Sequence, residues 1–215
     1  MFITFEGGEG SGKTTQSKRL YQYLIDRCIK AVHTREPGGT RVAEEIRNIL
    51  VNGETNKMHR DTELLLYMAA RVEHYKRKIY PLLCKGYVVI CDRFHDSTLA
   101  YQCAKGISQK KIDAIYSAVF NEIKIDRTYF LSVDPDNGIY RATRNRSHEN
   151  RFEQMGIKFH SDVLKNFDRI YENNRDRIVK IDSSGNHMRV FNEIVNDFNY
   201  LWSEVQKKKT QEQDT

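Results

Sequence analysis

Apolar residues recur along the chain with two different periods. Short, nearly continuous apolar runs occupy about 2–6, 31–35, 87–91, 128–133 and 178–182. Tyr87-Val88-Val89-Ile90-Cys91 and Tyr129-Phe130-Leu131-Ser132-Val133 do not alternate with polar positions. Such runs predict strands covered on both faces, as in a parallel sheet. Between them, apolar residues return every three or four positions over about 14–29, 41–52, 62–84, 108–123, 136–145, 160–176 and 187–206, which predicts helices. Strand–helix alternation of this kind predicts an α/β fold, a doubly wound five-stranded parallel sheet with helices on both faces. Ligands should then gather at the carboxyl ends of the strands. No repeat or low-complexity linker divides the pattern, so residues 1–206 read as a single domain and 207–215 as a disordered tail. The stretch 141–158 differs in texture; charged and nearly without aliphatic residues, it reads as a small mobile lid inserted in that domain.

The first strand runs directly into Gly7-Gly8-Glu9-Gly10-Ser11-Gly12-Lys13-Thr14-Thr15, and a helical pattern follows. Strand, glycine loop and helix in the spacing G-x-x-x-x-G-K-T form a phosphate nest, the mark of the P-loop NTPase type of fold. Glycines let the backbone turn its N–H groups inward, and the helix start adds unpaired N–H groups and partial positive charge. Lys13 can reach the β- and γ-phosphates, and the Thr14 hydroxyl can ligate Mg²⁺.

The whole-chain figures narrow the remaining classes. A formal net charge of +6 over 215 residues suits a site that collects phosphates. The basic residues are largely scattered, apart from short runs such as Lys207-Lys208-Lys209, which argues against a nucleic-acid surface. No apolar run approaches a membrane span, and the first strand begins too early to leave room for a signal peptide. Cys28, Cys84, Cys91 and Cys103 form no C-x-x-C pair, and Cys91 reads as a buried thiol. A reducing cytoplasm fits.

Two further clusters follow strands. Thr34-Arg35-Glu36-Pro37-Gly38-Gly39-Thr40 sets an arginine and a carboxylate at a strand end before a turn, so Arg35 can offer a bidentate fork to a phosphate. Asp92-Arg93-Phe94-His95-Asp96-Ser97-Thr98-Leu99-Ala100-Tyr101-Gln102 begins with a carboxylate at the end of a buried strand, a position suited to Mg²⁺, with a second arginine beside it. His95 reads as a surface residue.

Together with Tyr67-Met68-Ala69-Ala70-Arg71, these motifs resemble the bacterial thymidylate kinases, over nearly the whole chain apart from the tail after about residue 206. The resemblance implies transfer of the γ-phosphoryl group of ATP to dTMP, with Mg²⁺, by a homodimer. It places ATP on Gly7, Gly8, Glu9, Gly10, Ser11, Gly12, Lys13, Thr14 and Thr15. Arg35 and Arg93 would hold the dTMP phosphate beside Pro37, Tyr67 would stack on thymine, and Arg71 would bond its edge. Ser97 or Thr98 would also meet the base edge, Tyr101 would crowd the 2′ position, Glu9 would face the 3′-hydroxyl region, and Gln102 completes the acceptor set. The P-loop lacks arginine, whereas the lid carries Arg141, Arg144, Arg146 and Arg151, so the chain looks like the type that supplies the γ-phosphate arginine from the lid. Arg146 is then the catalytic arginine, acting with Lys13, Arg93 and Glu9, and Arg144 assists ATP. Thr14, Asp92 and Glu36 are the metal candidates. The alternatives are a nucleoside monophosphate kinase for another base, or a P-loop regulatory or nucleic-acid-binding module. A guanine switch would need N-K-x-D, and Asn56-Lys57 is followed by Met-His.

Overall fold

The computed structural model describes residues 1–120, 123–144, 151–152 and 154–213, the side chains of 208–210, 212 and 213 excepted. Strands β1 (Phe2–Glu6), β2 (Ala31–Arg35), β3 (Val88–Asp92), β4 (Arg127–Ser132) and β5 (Ile178–Asp182) form one sheet in the order β2-β3-β1-β4-β5. Every neighbouring pair is parallel. The chain winds from β1 outward to one side and later returns to the other. The crevice at the carboxyl end of β1 is therefore the topological switch point where such sheets bind ligands.

Helices α1 (Lys13–Ile25), α2 (Arg41–Val51), α3 (Arg60–His74), α4 (Tyr80–Cys84), α5 (His95–Ala104), α6 (Gln109–Val119), α7 (Pro135–Arg144), α8 (Ile157–Glu172) and α9 (His187–Gln213) cover both faces of the sheet. Successive side chains along the strands explain this layering. Ile3, Phe5, Ile90 and Leu131 pack with Leu20 and Leu24 of α1 and Ile194 and Phe198 of α9. Phe2, Val89 and Cys91 point to the opposite face, near Ile79, and Phe130 meets Phe167 of α8 there. A strand apolar on both sides thus becomes the shared wall of two cores, as its lack of alternation predicts.

The structure differs from the predicted pattern in three places. The stretch after β3 is a helix, α5, which periodicity did not reveal. Asp96 through Gln102 are all buried, so α5 has no polar face to set a 3.6-residue rhythm. The helix predicted over 62–84 is real but passes through a π-helical turn at Tyr75–Ile79. Finally, α9 continues to Gln213, through the segment expected to be a disordered tail. Residues 203–213 hold no Gly or Pro, and Lys207 pairs with Glu204 one turn back, so nothing local stops the helix.

Candidate active site

Glycines shape the first wall. Gly7, Gly10 and Gly12 have φ of 141°, 64° and 89°, a region that residues with a Cβ rarely adopt. Gly10 also lies against α7, where a Cβ would stand 1.9 Å from Gly138 O, and a Cβ on Gly138 would stand 2.5 Å from Glu9 O. The loop is thus clamped between the sheet and α7. Ser11 Oγ donates to Gly8 O at 3.0 Å, and Lys13 Nζ folds inward to Gly8 O and to Ser11 Oγ at 3.2 Å. Burial first, and Arg93 next, lower the Lys13 pKa from 10.5 to about 8, against the pull of Glu9, Asp92 and Glu6.

The second wall comes from the strand ends. Arg93 has φ of 69°, a strained backbone for a non-glycine residue. Its guanidinium is fixed on four sides, by Gly7 O at 3.0 Å, Ser97 Oγ at 3.1 Å, Glu9 Oε1 at 2.9 Å and Tyr101 Oη at 3.3 Å. Tyr101 Oη also donates to Glu9 Oε1 at 2.7 Å. Burial alone would raise the Glu9 pKa, but Arg93, Lys13 and Tyr101 outweigh it and bring it down to about 2. Glu9 is therefore an ionised acceptor near neutral pH. Arg35 is the looser arginine, half exposed and paired with Glu44 at 3.0 Å. An exposed pair of this kind holds little energy, so Arg35 can turn to an arriving anion.

Arg71 is 2% exposed and held by Glu36 Oε2 at 2.7 Å, Phe94 O at 3.0 Å and Thr98 Oγ1 at 2.9 Å. The other Glu36 oxygen faces His74 Nδ1 at 3.1 Å. With both oxygens engaged, Glu36 orients Arg71 and is not free to bind a cation, contrary to its inclusion among the metal candidates. Thr14 and Asp92 do suit one. The Thr14 hydroxyl donates to Asp92 Oδ2, while Asp92 Oδ1 is buried without a hydrogen-bond partner among the described residues. A buried carboxylate oxygen left bare beside a hydroxyl is the donor set a hard cation takes up.

One cleft of about 390 Å³ joins these groups. The P-loop contributes Glu9, Gly10, Gly12, Lys13, Thr14 and Thr15 to its lining. Arg35, Pro37, Tyr67, Arg71 and Arg93 line the other half, and Ser97, Thr98, Tyr101 and Gln102 of α5 close that half. Gly7, Gly8 and Ser11 support the loop from outside the lining. Ser97 directs its hydroxyl to Glu6 Oε2, away from the base-edge role expected for it. Arg144 is exposed at the end of α7, stacked over Tyr140 with 5.3 Å to the ring centroid, and does not line the cleft. Arg141 bonds Ser183 O at 2.9 Å. Arg146 lies outside the described residues. His95 is packed on Tyr116, ring centroids 3.9 Å apart, with Nδ1 buried, so the surface expectation for it fails. The chain enters α5 at that point, which turns the ring inward.

Sequence reasoning passed over several contributors. Glu6, sealed beneath the loop, accepts from Phe94 N at 2.7 Å and from Ser97. Burial first and Asp96 second push its pKa up to about 7, against Ser97, Arg93 and the Phe94 amide. Phe152 lines the cleft as well. Gly138 was the one such residue with a local signal, a glycine inside a helical pattern.

A family model described as "Thymidylate kinase" matches residues 5–194. The thymidylate kinase of Halalkalibacterium halodurans is 42% identical over 198 residues, covering 91% of this chain and 92% of that protein. That of Clostridium novyi is 39% identical over 195 residues, covering 90% and 95%. The crystal structure of thymidylate kinase from Ehrlichia chaffeensis superposes with a TM-score of 0.74 at 35% identity, covering 92% of this chain and 98% of that one.

Proposed function

The chain belongs to the thymidylate kinase family and transfers the γ-phosphoryl group of ATP to dTMP, and we propose that the cleft divides between the two nucleotides at Lys13 and Arg93. The carrying observation is that one cleft brings the P-loop lysine and both strand-end arginines together with Tyr67, Arg71 and Tyr101. Phosphoryl transfer demands little covalent work from the protein; positioning and positive charge do most of it.

On the donor side, the P-loop N–H groups from Gly7 to Thr15 cradle the ATP phosphates and Lys13 bridges toward the moving group. Arg146 supplies the arginine that the P-loop lacks, and Arg144 would assist on ATP only by leaving its stack on Tyr140. On the acceptor side, Arg93 and Arg35 grip the dTMP phosphate beside Pro37. Tyr67 stacks on the base. Arg71 offers Nη1, whose partner in the free protein is Met68 Sδ at 3.9 Å. Thr98, already bound to Arg71, lies by the same edge. The ionised Glu9 accepts from the sugar 3′-hydroxyl, and Tyr101, pinned by Glu9 and Arg93, fills the 2′ position. Gln102 closes the pocket behind it. Thr14 and Asp92 would hold Mg²⁺, which when bound neutralises charge on the transferring phosphates.

A homodimer in a reducing cytoplasm completes the reading; no described helix is long and apolar enough to cross a membrane, and the four cysteines are free thiols. An ADP-release assay with ATP and Mg²⁺ against dTMP, dUMP, UMP, CMP, AMP and GMP tests the acceptor assignment. Preference for dTMP is the expected outcome. Faster turnover of a purine monophosphate would overturn the roles of Tyr67, Arg71 and Tyr101. No turnover with any acceptor, from folded protein that binds ATP, would point to a binding module instead.

A further inference from the structure

Arg151 is 1% exposed. Nη1 donates to Leu50 O at 2.8 Å, Nε to Glu54 O at 3.1 Å and Nη2 to Thr55 O at 3.0 Å, all at the end of α2 and in the turn toward α3. Its charge is met by Glu63 at 2.5 Å, itself 1% exposed. A guanidinium committed in this way is a fastening and has no free edge for a nucleotide. Glu63 also accepts from Gln102 Nε2 at 2.9 Å and Lys105 Nζ at 2.7 Å. The first turn of α3, the end of α5 and the chain at 151 therefore meet on one carboxylate.

The next residue reaches the cleft. Phe152 stands edge-on to Tyr101, ring centroids 5.6 Å apart and planes at 85°. Lys105 Nζ lies 4.7 Å and the Arg151 guanidinium 5.4 Å from the centroid of the Phe152 ring. Cations against the ring and Tyr101 beside it leave Phe152 a single well-defined place.

We propose that Phe152 is a wall of the acceptor pocket and that Arg151, through its ion pair with Glu63, is the positioning residue that sets it there. The proposal rests on dTMP being the acceptor. A ring held in place before binding shields the nucleoside from water without an ordering cost at the moment of binding; a loose ring incurs that cost each time. Acceptor affinity, and not ATP affinity, then depends on a buried pair outside the lining of the cleft.

Steady-state kinetics on the full chain decide. Phe152→Ala is expected to raise the KM for dTMP about tenfold while the KM for ATP stays within about twofold. Arg151→Met, similar in length and uncharged, is expected to raise the dTMP KM alone as well. The double variant should be no worse than the poorer single variant by more than about twofold, since both act through one contact. An unchanged dTMP KM in Phe152→Ala overturns the wall. Multiplying losses in the double variant overturn the claim that Arg151 acts through Phe152, and an equal rise in the ATP KM shows a general structural role instead. If Arg151→Met fails to fold, Glu63→Gln takes its place with the same expectations. Wild-type protein that ignores dTMP but phosphorylates another monophosphate removes only the acceptor assignment, and the same comparison is then made on that acceptor.

Discussion

Lys13 carries its ammonium where charge is resisted. It is 5% exposed and Arg93 faces it, so the folded protein sheds the Lys13 proton from about 8 upward, while the unfolded chain holds it to 10.5. The sign follows from linkage. Between those values the unfolded chain binds more protons, so this group makes the free protein gain stability as pH rises. Phosphates arriving beside Lys13 reverse the balance by favouring the charged form. At pH 8.5, binding of a non-hydrolysable ATP analogue should therefore take up about half a proton or more. Calorimetry in two buffers of different ionisation enthalpy measures that number. Identical heats in both buffers would show that Lys13 is already charged in the free protein. Arg93 and Glu9 behave in the opposite sense, each keeping the other ionised, which lets the acceptor side stay charged over the same range.

Among the elements, the contact between the P-loop and α7 is tighter than either sequence segment implies. Gly10 and Gly138 approach until neither backbone leaves room for a Cβ. Gly138→Ala places a methyl group against Glu9 O, and the loop must move because a backbone carbonyl cannot rotate aside. Overpacking of this kind costs ~1–3 kcal/mol. The expected result is a lower melting temperature together with a raised KM for ATP, since the displaced loop carries the phosphate N–H groups. Gly156→Ala is the control, because a Cβ there meets nothing within 4 Å among the described residues. Equal behaviour of the two variants in both measurements would show that α7 does not set the loop.

At the scale of the whole molecule, α2 and α3 pack together and present apolar side chains to water. Val42 and Ile49, seven residues apart on one face of α2, are 45% and 51% exposed, and Leu65 of α3 is 55% exposed. The proposed homodimer would bury that surface, as the hydrophobic effect favours, and the same two helices carry Arg47, Tyr67 and Arg71 toward the cleft on their inner side. Sedimentation should give twice the chain mass for the native protein. Leu65→Arg should shift it toward the single-chain mass while the circular dichroism spectrum is kept. A wild-type protein that sediments at the single-chain mass would refute the homodimer.

The strands, the P-loop and the three arginine-bearing motifs were legible in the sequence because each rests on local chemistry. A continuous apolar run has to be covered on both sides, and a glycine loop with Lys13 and Thr14 makes the same nest wherever it folds. Long-range partners were not legible. That Glu36 serves Arg71, that Ser97 turns to Glu6, and that Arg151 closes on Glu63 are consequences of chain segments dozens of residues apart arriving at one place. Even α5 escaped notice, since a helix buried on all sides has no polar rhythm to announce it. The sequence by itself determined the fold class and most of the residues that line the cleft, through periodicity and through side chains whose bonding options are few. Only the tertiary structure decided which of those options each buried charge took, because in a dry interior the nearest partner, and not the residue type, settles where a carboxylate or guanidinium is held.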